Sequence, residues 1–298
     1  MLDKKSMIPC IDWFRCIVPV TNVSQFVSDL EKIDDRLSFD SFVCDGRSKL
    51  NFSNCWRHSI VPSLSFSFNP VRDSLSCLEA SDSHNNKGIL FELTGDAIRF
   101  LGSDSLKAIL RYVASLNCKV TRIDYALDFF DSENEVVPLL QEACKNFMNP
   151  ASKDITISGK IKRCPSNFQC YVNAYPGGPS SVNYVLGNHG SDHGMFRLYD
   201  KQFETLYGRH RSRAAELMQG DGYWFRAEIE LHNGYTLWAN DSFYNLVHTD
   251  FNLYAIIGKS FDDWFAVRVR EYVSSRSTSS VASWDLFVFE LKDAIHFV

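Results

Sequence analysis

The sequence predicts an α+β protein in which an antiparallel sheet carries the active site and helices pack on the opposite face. Two observations favour this class. Three segments alternate polar and apolar residues, as strands with one buried face do; they are 122–130, 195–199 and 224–232. Other segments, among them 23–33 and 106–116, repeat apolar residues at helical spacing.

Length and composition place the chain among ordinary globular proteins. Its 298 residues, 45% hydrophobic and 22% charged, can bury a sizeable core in one large or two moderate domains. The nine cysteines show no CxxC spacing, and no early apolar run suits export or membrane spanning, so we expect reduced thiols in a cytoplasmic protein without a membrane segment. A formal net charge of −5 argues against a protein that coats nucleic acid, yet it permits local basic patches.

The N-terminal region, 1–88, is predicted to pack on a core at 89–235. Trp13 to Val20 reads as a strand, Val23 to Ile33 as a helix, and Leu64 to Phe68 as a second strand. Farther on, Ile89 to Leu93 and Ala97 to Leu101 flank Thr94-Gly95-Asp96, a turn composition that predicts a hairpin.

The rest of the chain supplies further strands and helices. A helix is predicted from Asp131 to Phe147, and strands at 155–157, 169–175 and 182–186. The region 236–298 reads as a C-terminal helical region. It contains a serine-rich linker or loop at 274–280 and a last helix at 282–297.

Carboxylates recur on the polar faces of two of the alternating strands. Asp124 and Asp128 share one face of 122–130 but lie roughly 13 Å apart, too far to hold one ion by themselves. In 224–232, Glu228 and Glu230 share a face with Arg226. Each carboxylate would therefore need ligands from a neighbouring strand.

The third alternating strand and the residue after it carry cationic side chains. Arg197 and Tyr199 share one face of 195–199, and Lys201 opens a helix directly after it. If the three strands are neighbours, one of Asp124 and Asp128 meets Glu228 and Glu230 beside these cations. Such a set suits Mg²⁺ or Mn²⁺ near a phosphate. The alternative is a solvated polar face with Arg122 as a local counter-charge.

Five motifs follow one another along this part of the chain. They are ILFELTGD at 89–96, TRIDYALD at 121–128, YVLGNHGS at 184–191, RLYDK at 197–201 and RAEIEL at 226–231. In this order they resemble the Rep_trans family of rolling-circle replication initiators of small plasmids and filamentous phages. Some transposon relaxases are related to this family.

The resemblance implies a metal-dependent enzyme that nicks and rejoins DNA. A tyrosine would attack a phosphodiester at the origin, giving a 5′-phosphotyrosine and a free 3′-hydroxyl. By motif the nucleophile is Tyr184, with Tyr175 and Tyr199 as alternatives. A phenol with a pKa near 10 needs a nearby cation or base. Lys201 or the metal would serve, and Arg197 would hold the non-bridging oxygens, with Asp124, Asp128, Glu228 and Glu230 as the metal-ligand candidates.

The loop at 187–194 departs from the family pattern because it lacks Arg and Lys. Its His189 and His193 have HxxxH spacing, which permits a metal-site hypothesis. The alternative is a pair of exposed histidines that contact DNA or nothing. The predicted DNA contacts lie elsewhere. They are the basic cluster of Arg209, Arg211 and Arg213 and the motif arginine Arg226. The alternative interpretation of the basic cluster is a solvated helix face.

The implied partners are origin DNA, supercoiled or single-stranded, with a host helicase and polymerase, and a second copy of the chain in a homodimer. Within the same chemistry a transposon-type relaxase is an alternative. Two other classes stay open: a sequence-specific DNA-binding protein that has lost the reaction, and a metal-dependent nuclease that uses water.

Overall fold

The computed structural model describes residues 7–70, 88–131, 155–158, 168–174, 180–187, 194–207, 223–232, 238–264, 266–270 and 278–280. Its strands are β1 (Met7–Val18), β2 (Phe42–Cys44), β3 (Asn54–His58), β4 (Leu64–Phe68), β5 (Ile89–Thr94), β6 (Lys119–Asp131), β7 (Ile155–Ser158), β8 (Phe168–Ala174), β9 (Ser180–Gly187), β10 (Met195–Asp200), β11 (Tyr223–His232), β12 (Ala266–Arg270) and β13 (Thr278–Ser280). The α-helices are α1 (Val23–Ile33), α2 (Gly95–Ser115), α3 (Lys201–Tyr207), α4 (Trp238–His248) and α5 (Leu253–Trp264).

Ten of the strands form one sheet, in the order β2-β3-β4-β5-β1-β6-β11-β10-β9-β8. Strands β13, β12 and β7 form a separate sheet of three. The α+β class is confirmed. The assumption that the three alternating segments are neighbours is also confirmed, because β6, β11 and β10 follow one another in the sheet.

The chain divides into two compact units. The first comprises Ile11–Asp124 and His232–Phe251, and the second comprises Met1–Cys10, Tyr125–Leu231 and Asn252–Val298. Both units use the same strand pattern: a long leading strand lies beside the last strand of a four-strand meander. That leading strand is β1 in the first unit and β6 in the second. The division into 1–88, 89–235 and 236–298 stays a prediction.

In the first unit, helices cover one face of the sheet. Phe26 of α1 meets Phe91 of β5 edge-on, with ring centroids 5.7 Å apart, and Phe14 of β1 lies 5.0 Å from Phe243 of α4. The register pairs Arg15 with Glu92 on the opposite face. The alternation therefore sends apolar residues to the helices and polar residues away from them.

Helix α1 covers the predicted residues, whereas the start of α2 corrects a prediction. Asn22 caps α1 by accepting a hydrogen bond from the backbone N–H of Gln25 at 2.9 Å. The residues 97–101, predicted as the second strand of a hairpin, lie instead in α2. Ala97, Ile98 and Leu101 are buried at helical spacing, and this burial, which local turn composition does not reveal, decides the conformation.

The C-terminal part contains a second correction. Thr278–Ser280, predicted within a loop, forms β13 and pairs with β12, Arg268 opposite Ser280. The serines gain backbone hydrogen bonds from this pairing. Asp131, predicted to open a helix, is instead the last residue of β6. The rest of that predicted helix, 132–147, and the predicted helix at 282–297 lie outside the described residues. Among the helices described, none is long and apolar enough to cross a membrane.

Candidate active site

Strands β10 and β11 carry most of the polar side chains of the site on one face of the sheet. Their antiparallel register pairs Arg197 with Glu228 and Tyr199 with Arg226. Directly opposite residues in such a pair project to the same side of the sheet. Glu230 joins this face opposite Met195, so five functional side chains share one surface.

Three buried carboxylates gather beside this surface. Asp124 on β6 and Glu228 and Glu230 on β11 each offer an oxygen, and these oxygens all lie within 4.8 Å of one another. Each residue keeps only 1% of its surface exposed. Buried like charges this close repel one another unless a cation joins them. An all-oxygen, carboxylate-rich set fits Mg²⁺ or Mn²⁺, so the residues present suit the expected metal.

Asp124 is held by the arginine two positions before it. Arg122 Nε donates to the two carboxylate oxygens at 3.0 and 3.1 Å, and Nη2 donates to Oδ2 at 2.5 Å. The two side chains face the same way because alternate strand residues do. The Arg122 guanidinium also lies over the Trp13 ring, 4.1 Å from its centroid.

Glu228 is held from β10. Arg197 Nη2 donates to its Oε1 at 2.5 Å, and the Tyr199 hydroxyl donates to its Oε2 at 2.9 Å. Both oxygens therefore have a donor, which fixes the orientation of the carboxylate. Lys201 Nζ in turn lies 3.4 Å from the Tyr199 hydroxyl and forms an ion pair with Glu204.

The Tyr199 phenol is kept in its neutral form. Only 4% of the residue is exposed. Burial, followed by the charge of Glu228, raises the pKa of Tyr199 well above its ordinary value. The cationic groups of Arg197 and Lys201 lie 5.2 and 5.4 Å from its ring centroid. Lys201 is placed there because Asp200 caps α3, accepting from the Phe203 N–H at 2.7 Å.

Asp128 and Arg226, predicted as a metal ligand and a DNA contact, lie together. Arg226 donates from Nε and Nη2 to the two oxygens of Asp128 at 2.7 and 2.8 Å, and 2% of Arg226 is exposed. Among the described residues, Asp128 is not in the carboxylate group that can hold a metal. Its place four residues along β6 from Asp124 and its ion pair with Arg226 account for this.

The remaining predicted residues are placed in part or not at all. Tyr184 lies on β9, where its Cα pairs with Leu198 of β10 and Cys170 of β8. Val185 is the β9 residue that pairs with Arg197. Tyr175, His189, His193 and the cluster Arg209, Arg211 and Arg213 lie outside the described residues.

Sequence reasoning missed the part played by Trp13. Arg122 could be recognised as a counter-charge from its spacing to Asp124, since i and i+2 share a strand face. Trp13 lies 109 positions earlier, and no local pattern connects it to that arginine.

Comparison with known proteins indicates a family and a similar fold. Residues 118–297 match the profile of Rep_trans, described as replication initiation factor. A solved structure described as a rolling circle replication initiator protein from Geobacillus stearothermophilus aligns with a TM-score of 0.64 at 17% identity. The alignment covers 96% of this chain and 97% of that one. No curated protein sequence matches the chain significantly.

Proposed function

Because the chain belongs to the Rep_trans family of replication initiation factors, we propose that it nicks and rejoins DNA at a rolling-circle origin. The observation that carries the proposal is the buried group of Asp124, Glu228 and Glu230 beside Arg197. Phosphoryl transfer develops negative charge on the non-bridging oxygens, which a divalent cation and an arginine stabilise. The similar solved structure, described as a rolling circle replication initiator protein, supports a role at a rolling-circle origin.

In this proposal Asp124, Glu228 and Glu230 would hold Mg²⁺ or Mn²⁺, and the cation would supply positive charge that polarises the scissile phosphate. The Tyr184 oxygen bonds to phosphorus as its phenol loses a proton, and the bond to the 3′-oxygen breaks. The 3′-oxygen takes up a proton, which balances the one that the phenol loses, and leaves as a hydroxyl that primes synthesis. Arg197 and Lys201 lie beside Glu228 with 24% and 15% of their side chains exposed, so both can reach a phosphate at the rim of the site.

Tyr199 is a poor candidate for the nucleophile. An attacking phenol must reach the phosphate and release its proton. Tyr199 is buried, its hydroxyl donates a hydrogen bond to Glu228, and its pKa is raised. We therefore assign it to orienting Glu228, and keep Tyr184 as the nucleophile on the strength of its motif.

The proposed partners follow from the reaction. They are origin DNA in supercoiled or single-stranded form, a host helicase and polymerase, and a second copy of the chain. The proposed setting is the cytoplasm of a bacterial cell that carries a plasmid or phage. One observation favours a second candidate, a sequence-specific DNA-binding protein without the reaction: the loop 187–194 lacks Arg and Lys.

The test is the formation of a covalent adduct on supercoiled DNA that carries the replicon's own origin. Wild type with Mn²⁺ should give nicked circles and a protein-DNA band on a denaturing gel. Tyr184→Phe should give neither, and Tyr199→Phe should keep the band. Tyr112→Phe is the matched control because its hydroxyl bonds Asp29, away from the carboxylate group.

Three results would contradict the proposal. A band that persists in Tyr184→Phe and disappears in Tyr199→Phe would move the nucleophile. Nicking that continues in excess EDTA would show that the reaction needs no divalent metal. Wild type that binds the origin without forming an adduct would favour the DNA-binding protein without the reaction.

A further inference from the structure

Arg122 connects a buried carboxylate with an aromatic ring at the rim of the site. Its Nε and Nη2 donate to Asp124, and its guanidinium lies 4.1 Å from the centroid of Trp13. The Arg122 side chain is 16% exposed, whereas that of Asp124 is 1% exposed. The guanidinium thus stands between a candidate metal ligand and the solvent.

A divalent cation and Arg122 would compete for the same atoms. Arg122 contacts both oxygens of Asp124, at least one of which a cation would need. The cation would also repel the guanidinium, since both are positive. The Trp13 ring gives the guanidinium a second favourable contact that does not depend on Asp124.

We propose that Arg122 is a phosphate-binding residue whose charge is masked by Asp124 until a divalent cation binds. The proposal rests on the proposed function. Once the cation takes an Asp124 oxygen, the guanidinium stays on Trp13 and donates to a phosphate oxygen of the DNA. Its planar set of N–H donors matches a phosphate. Metal and DNA therefore bind cooperatively, each raising the affinity of the other by the same factor.

The proposal makes an unusual demand on the Arg122→Gln variant. This variant loses a competitor for Asp124 and a nearby positive charge, so Mn²⁺ should bind more tightly than in wild type. The same variant loses the group that Mn²⁺ releases, so the effect of Mn²⁺ on DNA affinity should disappear. A residue that merely orients Asp124 would give the opposite change in Mn²⁺ affinity.

The experiment uses the full chain, freed of metal. Calorimetry measures Mn²⁺ affinity, and fluorescence anisotropy measures the affinity for a labelled single-stranded oligonucleotide of random sequence, in EDTA and in Mn²⁺. In wild type Mn²⁺ should tighten DNA binding by about 5-fold or more. In Arg122→Gln that ratio should fall to near one, with DNA affinity in EDTA close to wild type.

Arg36→Gln is the matched control. Arg36 also donates to an aspartate, Asp34, at 2.8 and 2.6 Å, and its guanidinium lies 4.4 Å from the Phe100 centroid. It should change neither Mn²⁺ affinity nor the ratio, because Asp34 is outside the carboxylate group. Arg122→Lys keeps the charge without the planar fork and should retain part of the ratio, which covers the case in which Arg122→Gln unfolds.

Three results would overturn the proposal. Weaker Mn²⁺ binding in Arg122→Gln would make Arg122 a residue that orients Asp124. An unchanged ratio of DNA affinities in a folded Arg122→Gln would show that Arg122 does not contact phosphate, and would leave the proposed nicking intact. Wild type that binds no Mn²⁺ would remove the metal from the proposed function as well, before any variant is compared.

Discussion

Arg226 and Asp128 show how a single buried ion pair limits what each residue can do. Both hydrogen bonds of the pair are short, and 2% of the Arg226 side chain is exposed. Removing one partner leaves an uncompensated buried charge, which typically costs about 3–5 kcal/mol. Replacing both with apolar residues of similar size is often nearly neutral.

We therefore predict that Arg226→Met lowers the free energy of unfolding by about 3–5 kcal/mol and that adding Asp128→Leu restores most of it. Urea denaturation of the two single variants and the double variant measures the effect. DNA affinity in the double variant should match wild type, because Arg226 is buried. A clear loss of DNA affinity in a folded double variant would instead support Arg226 as a DNA contact.

The residues of the site could be predicted from sequence better than their pairings. Alternation alone put Asp124, Glu228 and Glu230 on polar strand faces, and the structure brings these three together. It could not show that Arg226 meets Asp128, because that contact joins residues 98 positions apart through a sheet order that no local pattern encodes. The roles assigned to these residues stay predictions.

At the level of elements, Gly194 allows the residue before β10 to lie close to the backbone of β11. Its φ is +106°, and a Cβ there would lie 2.3 Å from the backbone oxygen of Glu230. The substitution Gly194→Ala must therefore displace the β11 backbone at Glu230, which is a candidate metal ligand. We predict weaker Mn²⁺ binding, by about tenfold for a displaced supporting contact, in a protein that still folds.

The control variant Gly46→Ala separates the displacement of β11 from the effect of backbone strain. Gly46 also has a positive φ, +65°, but a Cβ there meets nothing within 4 Å. It should cost stability through φ alone, about 1–2 kcal/mol, and leave Mn²⁺ affinity as in wild type. Equal Mn²⁺ affinity in both variants would show that the entry of β10 does not position Glu230.

Elements with a strong period were predictable, and those set by distant packing were not. Strands β6, β10 and β11 and helix α1 lie where alternation and helical spacing placed them. The prediction of a hairpin strand at 97–101, where α2 begins, was wrong because Thr94-Gly95-Asp96 suits a helix start as well as a hairpin turn. Only the burial of Ala97, Ile98 and Leu101 distinguishes the two.

For the whole molecule, half-buried phenols predict a loss of stability in alkali. Burial, with a hydrogen bond to Asp29, raises the pKa of Tyr112, and burial beside Cys118 raises the pKa of Tyr244 to about 12. A raised pKa in the folded state stabilises the protein below the unfolded value, near 10, and this stabilisation is lost as the pH rises through the folded value.

We predict that the free energy of unfolding falls above about pH 10. Urea denaturation between neutral pH and pH 12 measures it. The double variant Tyr112→Phe with Tyr244→Phe should show a shallower fall, although its stability at neutral pH is lower than that of wild type. The same slope in both proteins would place the alkaline transition in other groups.

The leading strand of each unit also determines how the chain reaches its folded state. Strand β1 contacts β6 through residues 106 positions apart, and β6 contacts β11 through residues 98 positions apart. Chain closure over such separations is slow, in the range of milliseconds to seconds for sheets dominated by distant pairs. Hairpins such as β8 with β9 can close earlier. We expect stopped-flow refolding to show Mn²⁺ binding only in the slowest phase, since Asp124 lies on β6 and meets its partners last.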